Sequence, residues 1–175
     1  QLSTDAAEIS RLMHQAADVL ETRLGKKDDA VAMYLRILEQ EPTDVQAAAR
    51  LRALYEGQDR FEELAKLLGR LVDVAETAQA RSLLRVDIAR IQGERFGAKR
   101  DAVDTLRAIL EEEPDHPTAA TQLAALLESM GAFGELSDHL SAQITRAEER
   151  GDAKAEQADR VRLATVLEGP LADPK

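Results

Sequence analysis

Three stretches of this chain occur twice. Leu24-Gly25-Lys26-Lys27-Asp28-Asp29-Ala30 returns as Phe96-Gly97-Ala98-Lys99-Arg100-Asp101-Ala102. Ile37-Leu38-Glu39-Gln40-Glu41-Pro42 returns as Ile109-Leu110-Glu111-Glu112-Glu113-Pro114, and Phe61-Glu62-Glu63-Leu64 as Phe133-Gly134-Glu135-Leu136. The offset is the same each time: the step from Leu24 to Phe96 equals those from Ile37 to Ile109 and from Phe61 to Phe133. A duplicated block is the mark of a repeat architecture, in which each unit buries its apolar face against its neighbours.

Each block divides again. Ala30, Leu64, Ala102 and Leu136 each open an apolar stripe: Ala30, Tyr34, Ile37, Leu38; Leu64, Leu68, Leu71, Val72; Ala102, Leu106, Ile109, Leu110; and Leu136, Leu140, Gln143, Ile144. Steps of four, three and one trace one face of an α-helix, and only Gln143 breaks the pattern. A second helical segment precedes each stripe. Its apolar faces are Leu12, Ala16, Ala17, Leu20; Ala47, Ala48, Leu51, Leu54, Tyr55; Leu84, Ile88, Ile91; and Ala120, Leu123, Ala124, Leu127. Ala and Leu favour helix, and no segment alternates with period two, so no sheet is expected.

The punctuation agrees. Pro42 and Pro114 close stripe helices, because Pro cannot continue the hydrogen-bond ladder. Asp44 and His116 stand at the next helix starts, with Pro117 at a favourable first position. Gly25, Gly57, Gly97 and Gly131 fall in the turns between paired helices, where positive φ suits Gly. The pattern predicts helices near 4–23, 27–40, 44–56, 60–76, 78–96, 99–112, 116–130, 133–150 and 154–168. They group as pairs over about 4–42, 43–77, 78–114 and 115–150, with a final helix about 154–168, all within one domain 1–175.

Helix pairs of about 34 residues with this stripe resemble tetratricopeptide (TPR) repeats. Ala30, Tyr34 and Pro42 match the family pattern, as do Ala102, Leu106 and Pro114; Tyr55 and Phe61 stand where the family favours aromatics. The family's Trp is absent, Leu64 and Leu136 replace a small residue, Arg52 stands at a small packing position, and the first and third turns are one residue longer. The resemblance implies an all-α, right-handed superhelical solenoid whose first helices line a concave groove for protein partners. Val161, Leu163, Ala164 and Val166 match Val86, Ile88, Ala89 and Ile91 in turn, and Leu167 continues the series. The next residue after Lys175 should therefore open another stripe helix. With Gln rather than Met at position 1, the chain is expected to be part of a longer repeat protein.

Composition narrows the function. The chain has 23 basic and 33 acidic side chains, a net charge of −10, which argues against nucleic-acid binding through phosphates. It has no Cys, which excludes disulfides, cysteine zinc sites and cysteine nucleophiles. No apolar run reaches the roughly 20 residues that span a bilayer, so no membrane insertion and a cytoplasmic location are expected. Ala, Arg and Asp usage suggests a bacterial source of high GC content.

No phosphate loop, nucleophile elbow or metalloprotease motif occurs, so no enzyme, cofactor or metal is expected. His14 and Asp18, four apart, read as a surface hydrogen bond rather than a metal pair. The acids around His116 read as a solvated loop rather than a calcium site, and His139 as a packing or capping group. Arg150-Gly151-Asp152 carries no function.

The expected partner-binding groove takes the first-helix positions outside the stripes. These are Arg11, His14, Asp18, Gln46, Ala49, Ala53, Glu56, Val86, Arg90, Thr118, Thr121, Ala125 and Glu128. With no Asn and no basic cluster, this lining does not suit the clamping of a terminal carboxylate. It suits a protein or peptide segment with basic and small apolar side chains. The expected function is thus a non-enzymatic protein-interaction scaffold. The alternative is a structural spacer, or a self-association module using exposed end faces, within a larger multidomain protein.

Overall fold

The computed structural model describes residues 2–169 and 172. Its helices are α1 (Leu2–Asp18, continued by a π-helical turn at Val19–Arg23), α2 (Lys27–Gln40), α3 (Val45–Gly57), α4 (Phe61–Val74), α5 (Ala78–Glu94), α6 (Lys99–Glu112), α7 (Pro117–Ser129), α8 (Phe133–Arg150) and α9 (Ala153–Glu168). No strand occurs among the described residues. The chain forms two compact units, Gln1–Leu84 and Arg85–Lys175, with the division inside α5.

The duplication extends to the hydrogen bonds that end the helices. In the first unit the Leu24 N–H donates to the Val19 carbonyl and Lys26 to Leu20, at 3.1 and 2.8 Å. At the equivalent place in the second, Phe96 donates to Ile91 and Ala98 to Gln92, at 3.2 and 2.8 Å. These wide closures absorb the extra residue of the first and third turns. The tighter turns also match: Arg60 donates to Tyr55 and Ala132 to Leu127, both at 2.9 Å. Positive φ falls at Gly25, Gly97, Gly131 and Gly151, and at Asp59 (φ 55). Gly57 therefore does not play the expected part; it closes α3, and Asp59 takes the position equivalent to Gly131. Asp tolerates that conformation better than most residues with a Cβ.

In the first unit, Ala30, Tyr34, Ile37 and Leu38 of α2 and Ala47, Leu51 and Leu54 of α3 are all buried, and α2 packs against both α1 and α3. Leu64 and Leu68 of α4 are wholly buried, whereas Leu71 and Val72 are half-buried. Burial pushes the Tyr34 phenol up to about 12, helped by Glu21, whose carboxylate accepts its O–H at 3.1 Å. α1 departs from expectation. Ala17 is buried, but Leu12 is 50 % exposed and Ala16 is exposed. These positions correspond to Ala47 and Leu51 of α3, which α2 covers; on α1 that side remains open.

In the second unit one core joins Val86 and Ala89 of α5, Ala102, Val103, Leu106 and Ile109 of α6, Ala119, Leu123 and Leu127 of α7, Leu136 and Leu140 of α8, and Val166 of α9. Gln143, the break in the fourth stripe, is half-buried, and its amide nitrogen has no partner among the described residues.

Helix starts are capped as the sequence indicates. Asp44 Oδ1 accepts from the Ala47 N–H at 2.8 Å, and His116 Nδ1 from Ala119 at 3.1 Å. Asp44 also takes the His14 Nε2 at 2.7 Å, tying α1 to the start of α3. Burial pushes the Asp44 carboxyl up, but the Ala47 N–H and His14 outweigh it and hold the pKa below 3.8. Asp44→Ala removes the cap and strands His14. It should cost about 1–2 kcal/mol in urea unfolding, with Asp44→Asn closer to the parent. Equal stability of Asp44→Ala and parent would contradict both roles.

His139 of α8 donates from Nε2 to the Ala120 carbonyl of α7 at 3.0 Å. Burial lowers its pKa below 6.5; the Ala120 bond and Asp159 of α9 oppose this only in part. A half-buried His with a lowered pKa binds fewer protons than the unfolded chain, so its contribution is full above pH 6.5 and declines as pH falls through that value. Urea unfolding at pH 8 and pH 5.5 should show a larger loss for the parent than for His139→Gln. Equal losses would show that His139 is not responsible.

Candidate partner-binding faces

The structure divides the expected lining residues into those used in packing and those left available. His14 is tied to Asp44, Asp18 pairs with Arg50 at 3.2 Å, and Arg11 pairs with Glu8 at 2.5 Å. Asp18 and His14 therefore turn to different partners rather than to each other. Val86 does not line a surface. It is 7 % exposed and packed in the second core, at the position that repeats His14 in the second block. Both positions lie on the side of a first helix that packs inward.

The faces of α3 and α7 remain open. Gln46, Ala49, Ala53 and Glu56 are exposed on α3, and Thr118, Thr121, Ala125 and Glu128 on α7. The two sets match at the offset of the duplication, and steps of three, four and three keep each set on one helix face. On α7 the polar ends are already engaged. The Thr121 hydroxyl donates to the Pro117 carbonyl at 2.9 Å, and Glu128 pairs with Arg162 of α9 at 2.6 Å.

Within the second unit, α5, α6 and α7 leave an open pocket of about 320 Å³. It brings together two of the expected residues, Arg90 and Ala125. The apolar lining is Ala89, Gly93, Leu106, Ala125 and Leu126; the polar lining is Arg90, Glu94, Lys99, Gln122 and Ser129. Arg90 lies 3.9 Å from Asp87 and 3.8 Å from Glu94. Lys99 Nζ donates to the Ser129 hydroxyl at 3.2 Å, which donates to the Leu126 carbonyl at 2.8 Å. An apolar floor with a charged and hydroxylic rim can take a small aliphatic side chain and hold the polar groups beside it.

Sequence reasoning missed Gln122, Ser129 and Lys99. Gln122, Leu126 and Ser129 lie one residue beyond the expected α7 face, a shift that helical spacing alone does not resolve. Lys99 belongs to a second helix, outside the set considered. Among the described residues no three His, Asp or Glu side chains come together as a metal site, and no helix is long and apolar enough to cross a membrane.

The helix pairs define a TPR-like, all-α repeat fold. No protein-family model matches the chain, and no curated protein matches it. Solved structures do. The crystal structure of MamA protein superposes with a TM-score of 0.54, at 16 % identity, over 97 % of each chain. YrrB, described as a TPR protein with an unusual peptide-binding site, gives 0.48 at 12 % identity, over 89 % of this chain and 84 % of that one. A tetratricopeptide repeat protein from Parabacteroides merdae ATCC 43184 gives 0.47 at 18 % identity, over 95 % and 66 %. At these identities the likeness is one of fold.

Proposed function

We propose that the chain is a non-enzymatic interaction scaffold that holds a protein or peptide segment against its first helices. One observation carries this reading: both units leave the same register of small and polar first-helix residues exposed, while the stripes of the same helices are buried. In the second unit the binding surface is the pocket beside Ala125, with Arg90, Gln122 and Lys99 as its polar contacts. In the first it is the Gln46–Ala49–Ala53–Glu56 face of α3. Small side chains let a partner backbone approach closely, and the preformed helices keep the entropic cost of binding low. Net negative charge favours a segment with basic side chains.

A random-peptide library panned on the immobilised protein tests this. Selected peptides should carry basic and small apolar side chains and lose binding to Ala125→Arg. Peptides that bind the folded variant equally well, or a library that yields none, would contradict the reading. A second reading rests on α1, where Ile9 (52 % exposed), Leu12, Ala16 and Val19 (38 %) form an open apolar stripe suited to self-association. A mass that rises with concentration in the parent but not in Leu12→Asp would favour it.

A further inference from the structure

The pocket beside Ala125 has a counterpart in the first unit, and there the chain's own side chains fill it. The repeat offset matches Gly93, Leu106 and Gln122 with Glu21, Tyr34 and Arg50. In the first unit the Tyr34 hydroxyl donates to Glu21 Oε2 at 3.1 Å, and Arg50 lies 3.6 Å from Glu21 Oε1 and 3.2 Å from Asp18. The Glu21 side chain is only 17 % exposed, so this cluster packs between the end of α1, α2 and α3. The second unit keeps the frame: Ala89, Lys99, Ala125 and Leu126 repeat Ala17, Lys27, Ala53 and Leu54. It loses the filling. The Glu side chain is missing at Gly93, the phenol gives way to the shorter Leu106, and the guanidinium to the Gln122 amide. At the rim the change runs the other way, with Arg90, Glu94 and Ser129 replacing the smaller Asp18, Thr22 and Gly57. Gly93 lies within α5 and has no positive φ, so the backbone does not call for glycine there. A Cβ at that place would meet Ala102 and Leu126 at 3.8 Å, an ordinary contact. Glycine weakens a helix interior, and what it provides here is space.

The lining decides what fits that space. With Leu106 in place of a Tyr, the floor offers no hydroxyl, and Lys99 Nζ is turned to Ser129 at 3.2 Å. A polar group pushed to the floor would lose its water without a partner, whereas an aliphatic group gains by burial. Gln122 is half-buried and makes no hydrogen bond among the described residues, so its amide offers both a donor and an acceptor. An extended backbone presents the matching N–H and C=O, which a helical backbone has already paired internally. We propose that this pocket selects one branched aliphatic side chain, Val, Leu or Ile, on an extended segment of a partner protein, while the Gln122 amide holds that segment's backbone. Gly93 determines the specificity, because it leaves the room that Glu21 takes up in the first unit. This rests on the reading that the first-helix faces hold a protein segment, and it names the side chain they select.

The probe is a display library of short random peptides panned on the whole chain, with the selected peptides synthesised and titrated by fluorescence anisotropy. They should share a Val, Leu or Ile at one position, and Ala at that position should weaken binding about tenfold or more. Gly93→Glu restores the side chain of the first unit and should weaken the same peptides about tenfold or more. Its melting temperature should be at or above the parent's, since Glu is the better helix former. Gly93→Ala adds a methyl group that meets nothing closer than 3.8 Å, so it keeps the fold and should weaken the peptides by a smaller factor. Gln122→Ala should weaken every selected peptide about fivefold, whatever its aliphatic residue. Peptides without a shared aliphatic position, or peptides that bind the folded Gly93 variants as tightly as the parent, would overturn this proposal and leave the scaffold reading in place. A library that yields no peptide would overturn both.

Discussion

Ala102→Glu should lose on the order of 3 kcal/mol or more of stability. Ala102 is 0 % exposed and lies in one core with Val86, Ala89, Val103 and Leu106. Its Cβ lies 3.8 Å from where a Cβ on Gly93 would stand, so α5 and α6 are close there. A Glu side chain must either displace α5 or bury a carboxyl group among aliphatic residues. The residues that share this core are apolar, so a carboxyl group placed among them loses its water. Urea unfolding followed by circular dichroism, with Ala102→Ser as a volume control, measures the effect. A transition for Ala102→Glu that matches the parent's would show that α6 does not pack in this register.

Leu51→Ala should cost about 3 kcal/mol, within the range for a fully buried Leu whose cavity only partly collapses. Leu51 is 0 % exposed on α3, in the unit whose buried residues include Tyr34, Ile37, Leu54 and Leu64. The control lies on the same helix. Val45 is 81 % exposed, so Val45→Ala should stay within about 0.5 kcal/mol of the parent. Similar losses for the two variants would contradict the burial pattern. A repeat protein passes such damage to its neighbours, because each unit depends on the surfaces beside it.

Much of this fold is legible because the chain states its pattern twice. The stripes opened by Ala30 and Ala102 are buried at all four positions in both copies, and Pro42 and Pro114 stand just past the ends of α2 and α6. The departures have physical causes. Leu12 and Ala16 look like core residues because their equivalents on α3 are core, but burial requires a helix on that side, which the pattern of α1 alone does not disclose. Val86 shares its register with His14, whose polarity suggests an exposed face. The His14 imidazole is instead held inward by Asp44, and the equivalent position in the second block is simply apolar. Gly57 has the composition of a turn glycine, while Asp59 carries the positive φ.

The binding faces are less legible than the core. Helical spacing identifies which residues share a face, and so it identifies the matched sets on α3 and α7. The pocket depends on how three helices converge, and it draws on Lys99 and Ser129, whose hydrogen bond joins α6 to α7. No periodicity within one helix signals that contact.

The most direct measurement is a paired affinity capture from a lysate of the cells that make this protein. One bait is the parent; the other carries Ala53→Arg, Thr121→Arg and Ala125→Arg, at exposed positions that leave the His14–Asp44 contact intact. The account predicts a protein retained by the parent and lost from the folded variant. The same proteins on both baits would contradict a role for these first-helix faces.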